Sequence, residues 1–288
     1  MNRKPIISLY ASAARPENWM RLYDSVKYNS CEFEIVFVGP NIPKIQLPKQ
    51  FNYIQSFTKP VQCAEIAARN AKGEYLLHCV DDLTFKDKNA LDKILEFYNQ
   101  NIHANHELIL TPKLMRDGKK YNESNYKLYP NLDGCPYVPI SIFIKKSLYL
   151  SLGGYDVNFI ASMADTDLAY RGITEMNAKI EFVETFVEEN NKNDAYGRTL
   201  FEDYKHYDLV LLKNLWFTDE VFLYKRTLKH EAFSGINIHS VTQGKKGRWG
   251  YTNKYIEKIF TLRSYYVLKH LTKKVHQLLK NIFKGKII

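Results

Sequence analysis

Tyr75-Leu76-Leu77-His78-Cys79-Val80-Asp81-Asp82-Leu83 is an apolar run that stops abruptly at two adjacent carboxylates. Launched by Gly73, it reads as a buried central strand of a parallel sheet. In open α/β sheets the ligand crevice lies beyond the carboxyl ends of the strands. A strand ending in Asp81-Asp82 therefore points its carboxylates to where a metal-bound phosphate would sit. The bland alternative is punctuation, since Asp is common in turns and at helix N-caps, and a helix is predicted from Lys88.

The preceding chain alternates strands with helices. Ile6 to Tyr10 is a short strand followed by Ala11-Ser12-Ala13-Ala14, small residues that let backbone approach a ligand. Arg15-Pro16-Glu17-Asn18-Trp19 opens a helix, with Pro16 suited to its first turn and Trp19, Leu22, Tyr23 and Val26 at helical spacing. Phe33 to Val38 is a second strand stopped by Gly39-Pro40, and Phe51 to Gln55 a third. Val61 to Lys72 is an alanine-rich helix, with Gly73 at the position of a left-handed C-cap. Arg69 on this helix either reaches a phosphate or is simply exposed.

Beyond Asp82, Leu91, Ile94, Leu95 and Tyr98 predict an amphipathic helix over 88–100, and Leu108 to Thr111 another strand. This alternation argues for a parallel, doubly wound sheet with right-handed crossovers. Residues 113–137 read as a long irregular insertion, with a turn at Asp117-Gly118-Lys119-Lys120 and tyrosines at 121, 126, 129 and 137. Those tyrosines either stack on sugar rings or anchor the loop on the core. Val138 to Lys145 is a strand, Lys146 to Leu152 a short helix, and Gly153-Gly154 a tight turn. A helix then begins at Ala164, with Asp165 and Asp167 placed as N-caps in its first turn. Capping needs one of these acids and leaves the other available. Glu188-Glu189-Asn190-Asn191 reads as a surface loop, and His78 as a core histidine.

Charge and cysteine usage narrow the classes. The net charge is +10, yet residues 240–288 carry 10 Lys and 2 Arg against Glu257, so residues 1–239 sum to −1. The basicity belongs to the tail, and no nucleic-acid reader motif accompanies it. Cys31, Cys63, Cys79 and Cys135 lack C-x-x-C spacing and read as reduced, mostly buried thiols. No signal peptide and no spanning apolar run is legible, which predicts a cytosolic location. There is no G-x-x-x-x-G-K-[ST] phosphate loop.

Several of these pieces, in this order and spacing, resemble the nucleotide-sugar glycosyltransferases of family 2, which have the GT-A fold. They are the Ile6 to Tyr10 strand with Arg15-Pro16-Glu17, the Glu34-Ile35-Val36 strand, and Ala71-Lys72-Gly73-Glu74-Tyr75 leading into Asp81-Asp82. Gly153-Gly154-Tyr155-Asp156 leading into Asp165-Thr166-Asp167-Leu168 completes the set. The resemblance covers roughly residues 5–175. It implies an α/β, Rossmann-like, mostly parallel sheet flanked by helices, over residues 1–250. The nucleotide-binding half would be about 1–112 and the acceptor half about 113–250.

By the same resemblance Asp82 matches the final acid of the family's D-x-D motif, a ligand of a divalent metal bridging the donor phosphates. Asp81 matches its middle position, and Val80 stands where the first acid would be. Asp165 matches the catalytic base of the family's E-D pair, with Ala164 in place of the Glu. The Asp-rich turn that usually touches the base is Gly39-Pro40-Asn41 here, which shifts base recognition toward Tyr10 and Ser12.

Breaking a sugar–diphosphate bond requires the leaving phosphate's charge to be neutralised, which a hard cation with oxygen ligands does; Mn2+ and Mg2+ both suit. The acceptor hydroxyl must lose a proton as it attacks, and Asp165 is the candidate base. The resemblance implies inversion at the anomeric carbon. Expected partners are a UDP-sugar and a glycan or lipid-linked acceptor, with no nucleic acid.

Gly244-Lys245-Lys246-Gly247-Arg248-Trp249-Gly250 reads either as a loop closing over a diphosphate, with Lys245 and Arg248 on the donor, or as a solvated linker. Upstream, His239 is a candidate further metal ligand, or a structural histidine. Residues 251–288 predict a basic amphipathic helix, with Leu268, Leu271, Val275, Leu278 and Ile282 on one face. It suits an anionic membrane surface, the alternatives being the body or a second subunit. Two other functions compete: a degenerate GT-A protein that binds glycan or a partner without catalysis, and a sugar-phosphate nucleotidylyltransferase. The second wants glycine in the loop after the first strand, and this chain has none there.

Overall fold

The structure is a computed structural model, and it describes residues 4–102, 106–116, 118–120, 141–189, 207–218 and 221–233. One sheet organises them. Its strands are β1 (Ile7–Ser12), β2 (Phe33–Gly39), β3 (Phe51–Gln55), β4 (Tyr75–His78), β5 (Leu83–Phe85), β6 (Leu108–Arg116), β7 (Lys119–Lys120), β8 (Phe143–Lys145) and β9 (Lys179–Glu189). Their spatial order is β3-β2-β1-β4-β8-β6-β9-β5, with β7 paired to β6. β3, β2, β1 and β4 are mutually parallel, as are β6 and β9; β8 runs antiparallel between β4 and β6, and β5 antiparallel to β9. The sheet is continuous across the two predicted halves, because β8 joins them.

Helices cover both faces, and the side chains of β1 alternate accordingly. Ile7, Leu9 and Ala11 pack with Trp19 and Leu22 of α1 (Pro16–Val26) and with Leu91 and Ile94 of α3 (Ala90–Asn101). Tyr10 faces the other side, in a core shared with α2 (Pro60–Asn70), α4 (Lys146–Ser151), α5 (Ala164–Met176) and α6, the helix over 207–216. A separate two-stranded ribbon, β10 (Phe217–Thr218) and β11 (Val221–Phe222), follows α6.

Four local expectations change. Gly73 is not a left-handed cap: α2 ends at Asn70, and the Gly73 N–H is donated to Ser8 Oγ at 2.8 Å. A Cβ there would lie 2.6 Å from that oxygen and 2.8 Å from the Ser8 nitrogen, so close approach to β1 is what demands glycine. The predicted irregular insertion opens as strand, since β6 continues to Arg116 past a register shift between Pro112 and Lys113 and turns back into β7. Pro112 masks this continuation, and a bulge is where a strand tolerates proline. Glu188 and Glu189 are not in a surface loop but in β9, opposite Thr84 and Leu83. Finally, the predicted cap acids do not cap α5, as described below.

Among the described residues, Cys63 and Cys79 are buried and Cys31 half-buried, all free thiols whose pKa values burial pushes up. No described helix is long and apolar enough to cross a membrane.

Candidate functional site

β4 delivers its two carboxylates as the sequence predicts, though the strand itself stops at His78. Cys79 keeps in step with β1 through a hydrogen bond from its N–H to the Tyr10 carbonyl at 3.0 Å. Asp81 and Asp82 then form a turn, closed by the Leu83 N–H on the Val80 carbonyl at 3.1 Å. Both acids lie beyond the carboxyl end of the central strand, beside the loop that follows β1.

Asp81 organises that loop. One oxygen accepts the backbone N–H groups of Ala14 and Arg15, each at 2.7 Å, and the other accepts Arg15 Nε at 2.8 Å and Arg15 Nη2. Those amides sit at the N-terminus of α1, where Arg15 is the N-cap residue and Pro16 opens the helix. An anion is favoured there by exposed N–H groups and the helix dipole. Asp81 therefore acts from beneath as an internal anion that fixes the loop.

Asp82 is held differently. Its carboxylate lies 3.1 Å from Arg15 Nη1, and its side chain is 3% exposed while that of Arg15 is 17% exposed. Burial pushes its pKa up to about 6; Arg15 opposes the shift, and Asp81 and Glu189 add to it. Glu189, at the end of β9, was missed in sequence because its strand reads as a loop. The run of β-branched and aromatic residues from Ile180 to Val187 was the available signal.

Among the described residues no three His, Cys, Asp or Glu side chains gather to hold a metal. A hard cation shared with a diphosphate needs only one or two protein carboxylates, the phosphates and water supplying the rest. Two adjacent carboxylates already bridged by the cationic Arg15 guanidinium fit such an ion. Asp82 is the residue that would hold it, because the oxygens of Asp81 are engaged by the loop.

The turn after β2 packs against the same loop. A Cβ on Gly39 would lie 1.8 Å from the Ala13 carbonyl oxygen, so only glycine permits this contact. Asn41 Nδ2 donates to the Ala14 carbonyl at 2.6 Å, and the Ala13 N–H to the Val38 carbonyl at 2.8 Å. Ser12, half-buried, stands at the end of β1 in the same region. Tyr10 is elsewhere: its ring is fully buried and its hydroxyl is 2.7 Å from that of Tyr155. That burial leaves no face on which a base could stack.

Asp165 lies in the first turn of α5, whose N-cap residue is Met163, in the left-handed conformation with φ 63°. The Asp165 carboxylate accepts the Thr166 N–H at 2.8 Å and is half-buried. Burial pushes its pKa up to about 6, against the Thr166 and Asp165 N–H groups. It lies close enough to Tyr10 and Tyr155 to raise both phenol pKa values, after burial. A carboxylate with a pKa near neutrality, on a helix start, can take a proton from an acceptor.

Asp167 is structural. It is fully buried and receives Trp216 Nε1 at 2.8 Å, Arg226 Nε at 3.0 Å and Arg171 Nε at 3.0 Å. Arg226 also reaches Asp156 at 2.7 Å, and Arg171 donates to the Gly154 carbonyl at 2.6 Å. The Gly153-Gly154-Tyr155-Asp156 turn, α5 and α6 are thereby tied together. Asp208 of α6 holds the intervening loop by accepting the N–H groups of Ile160, Ala161 and Ser162 at 2.8 to 2.9 Å. Arg69 is engaged by Glu65 at 2.5 Å; the same Glu65 accepts the Tyr155 N–H at 2.9 Å and the Tyr149 hydroxyl. Sequence reasoning missed Asp208, Arg226 and Glu65 as framework residues, because buried charges far apart in the chain carry no local pattern.

His239, Lys245 and Arg248, the tyrosines of 121–137 and the basic tail over 251–288 lie outside the described residues.

No protein-family model matches the chain, and no curated protein matches it. Solved structures do. S. aureus TarS 1–349 superposes with a TM-score of 0.50 at 16% identity, over 72% of this chain and 65% of that one. Its complex with UDP-GlcNAc gives 0.51 at 15% identity, over 72% and 66%. A UDP complex of the same protein matches equally, with a TM-score of 0.50. This chain thus spans just under two thirds of the TarS chain it matches. The likeness establishes the fold, which is the GT-A fold that the sequence resemblance implied.

Proposed function

We propose that this protein transfers a sugar from a nucleoside-diphosphate sugar, a UDP-sugar by preference, to a hydroxyl of a glycan or lipid-linked acceptor. The observation that carries this reading is the placement of Asp81 and Asp82 at the carboxyl end of β4, against the loop after β1. It is supported by a fold shared with a protein whose structure holds UDP-GlcNAc.

In this mechanism Asp81 fixes the Ala14–Arg15 backbone, and the Gly39 turn packs against it to form the wall for the nucleotide. Asp82 would hold Mn2+ or Mg2+, which when bound supplies charge neutralisation to the departing diphosphate. Asp165 accepts the proton of the attacking hydroxyl from the side opposite the leaving group, so the anomeric configuration inverts. His239, Lys245 and Arg248 are proposed to complete the donor site, and the 251–288 segment to rest on an anionic membrane surface.

Calorimetric titration of UDP and GDP, with and without Mn2+, on the wild type and on Asp82→Asn tests this. Binding of UDP that needs both the ion and Asp82 is the expected result. Absence of nucleotide binding under every condition would overturn the transferase reading. Nucleotide binding without transfer to any acceptor in a glycan panel would favour a degenerate binding protein, which the replacement of two family acids by Val80 and Ala164 also suggests.

A further inference from the structure

Arg15 occupies an unusual place between the two carboxylates. Its Nε and Nη2 engage Asp81, its Nη1 lies 3.1 Å from Asp82, and it is the most exposed side chain of the three. Asp82 is almost completely covered, at 3% exposure, so a group approaching its oxygens has to displace the Arg15 contact. Asp81 and Glu189 both lie close enough to act on the Asp82 carboxylate, and Arg15 opposes them.

We propose that Arg15 is a donor-positioning residue that exchanges partners on loading: it releases Asp82 to the divalent cation and turns the freed Nη1 edge onto the donor's diphosphate. The inference rests on the donor-site assignment above and deepens it. The hinge of the exchange is Asp81. Its contacts with the Ala14 and Arg15 backbone at 2.7 Å fix the root of the residue, while the rigid, planar guanidinium turns as one group and gives up its Nη2 contact with Asp81 as Nη1 leaves Asp82. A planar guanidinium is suited to both partners, because carboxylate and phosphate present the same fork of oxygens. In the unloaded state the Asp82–Arg15 pair holds the covered carboxylate without an ion, and loading substitutes one cation for another at the same oxygen.

The exchange predicts effects of opposite sign from one substitution, which a purely structural arginine does not. Mn2+ binding without nucleotide, followed by electron paramagnetic resonance, and UDP binding in saturating Mn2+, followed by calorimetry, are measured on the wild type, Arg15→Met and Arg15→Lys. With its competitor removed, Asp82 in Arg15→Met is expected to bind Mn2+ several-fold more tightly. The same variant is expected to bind UDP at least about tenfold more weakly, the scale of a lost charge-assisted contact. Arg15→Lys keeps the charge without the fork and is expected to fall between in UDP affinity. Thermal melts establish that each variant is folded, and the lysine variant carries the comparison if the methionine variant is not.

Unchanged UDP affinity in the folded variants, or weakened Mn2+ binding together with weakened UDP binding, overturns the partner exchange. Failure of the wild type to bind UDP with Mn2+ overturns the donor-site reading itself and the exchange with it, which separates the two outcomes.

Discussion

Asp165 and Asp167 share the first turn of α5 and serve opposite ends. Asp167 is sealed among Trp216, Arg171 and Arg226, each at 2.8 to 3.0 Å. Asp165 has the Thr166 N–H as its neighbour and a pKa pushed up to about 6 by burial. The helical turn explains the divergence: two residues further along a helix is about 200° of rotation, so Asp167 faces the core while Asp165 points to another side of α5 and stays half-buried. Both look alike in sequence as acids at a helix start.

Asp167→Asn is expected to destabilise the fold by about 3 to 5 kcal/mol, because it leaves the fully buried Arg171 without its counter-charge and the nearly buried Arg226 with Asp156 alone. Urea unfolding measures this as a lowered midpoint with an unchanged slope. A midpoint within error of the wild type would show that the network does not hold α5.

Asp165→Asn is expected to behave inversely, staying folded while sugar transfer falls by about 100- to 10,000-fold, the range for a lost general base. Keeping this carboxylate charged in a site where its pKa is about 6 rather than 3.8 costs the folded state up to about 3 kcal/mol at neutral pH. The sign follows from linkage: a pKa raised by folding contributes stability below pH 3.8 that is lost as pH rises through about 6. The amide should therefore melt no lower than the wild type near pH 7.5. A variant that is inactive because it is unfolded would refute the assignment.

The pH profile of transfer in the wild type should fall on the acid side through about pH 6, by about tenfold per unit below it, as the base is protonated. Measuring initial rates from pH 5 to 8 at saturating donor checks this. A flat profile over that range would remove Asp165 from the proton transfer.

Much of this architecture is legible in sequence because it is written locally. Pro16 with Trp19, Leu22 and Val26 specifies α1, and the apolar runs at Ile7 and Phe33 specify neighbouring strands. Asp81 and Asp82 are legible because a strand end is a local event whose consequence, a crevice, is general to the fold. What stays hidden is held across distance. Arg226 and Asp156 are joined at 2.7 Å across 70 positions, and the Glu65 contact to Tyr155 spans 90. Tyr10 shows the same limit from the other side. Its place at the end of the first strand suggests the crevice, but strand alternation turns its ring to the face that α2, α4 and α5 cover.

Gly39→Ala is expected to weaken UDP binding by about tenfold or more and to lower stability by about 1 to 3 kcal/mol, the usual cost of overpacking. The added methyl would stand 1.8 Å from the Ala13 carbonyl oxygen, a backbone atom that cannot swing away as a flexible side chain would. Relief requires the β2 turn and the β1 loop to part, and the loop carries the Ala14 and Arg15 amides that Asp81 grips. Gly118→Ala, strained by its φ of +76° but with nothing within 4 Å of its new methyl, is the control for a destabilising glycine substitution away from the β1 loop. Equal nucleotide affinity in Gly39→Ala and the wild type would separate this turn from the donor site.

The Tyr10–Tyr155 pair gives the last test, because its two hydroxyls, 2.7 Å apart in fully buried side chains, lie close enough to Asp165 to feel its charge. Tyr155→Phe alone orphans the Tyr10 hydroxyl and is expected to cost about 1 to 3 kcal/mol, and Tyr10→Phe the same for the converse reason. Tyr10→Phe with Tyr155→Phe removes both polar groups and leaves two rings of unchanged shape, so its cost should fall well short of the sum of the single changes. Such a double-mutant cycle, read by urea unfolding, measures the coupling directly. Additive losses would show that the hydroxyls do not serve one another. The acid limb of the pH profile should remain near 6 in Tyr155→Phe, since burial is the leading cause of the Asp165 shift and the phenyl ring preserves it. A limb displaced toward the ordinary carboxylate range would instead make the tyrosine hydroxyls part of what tunes the base.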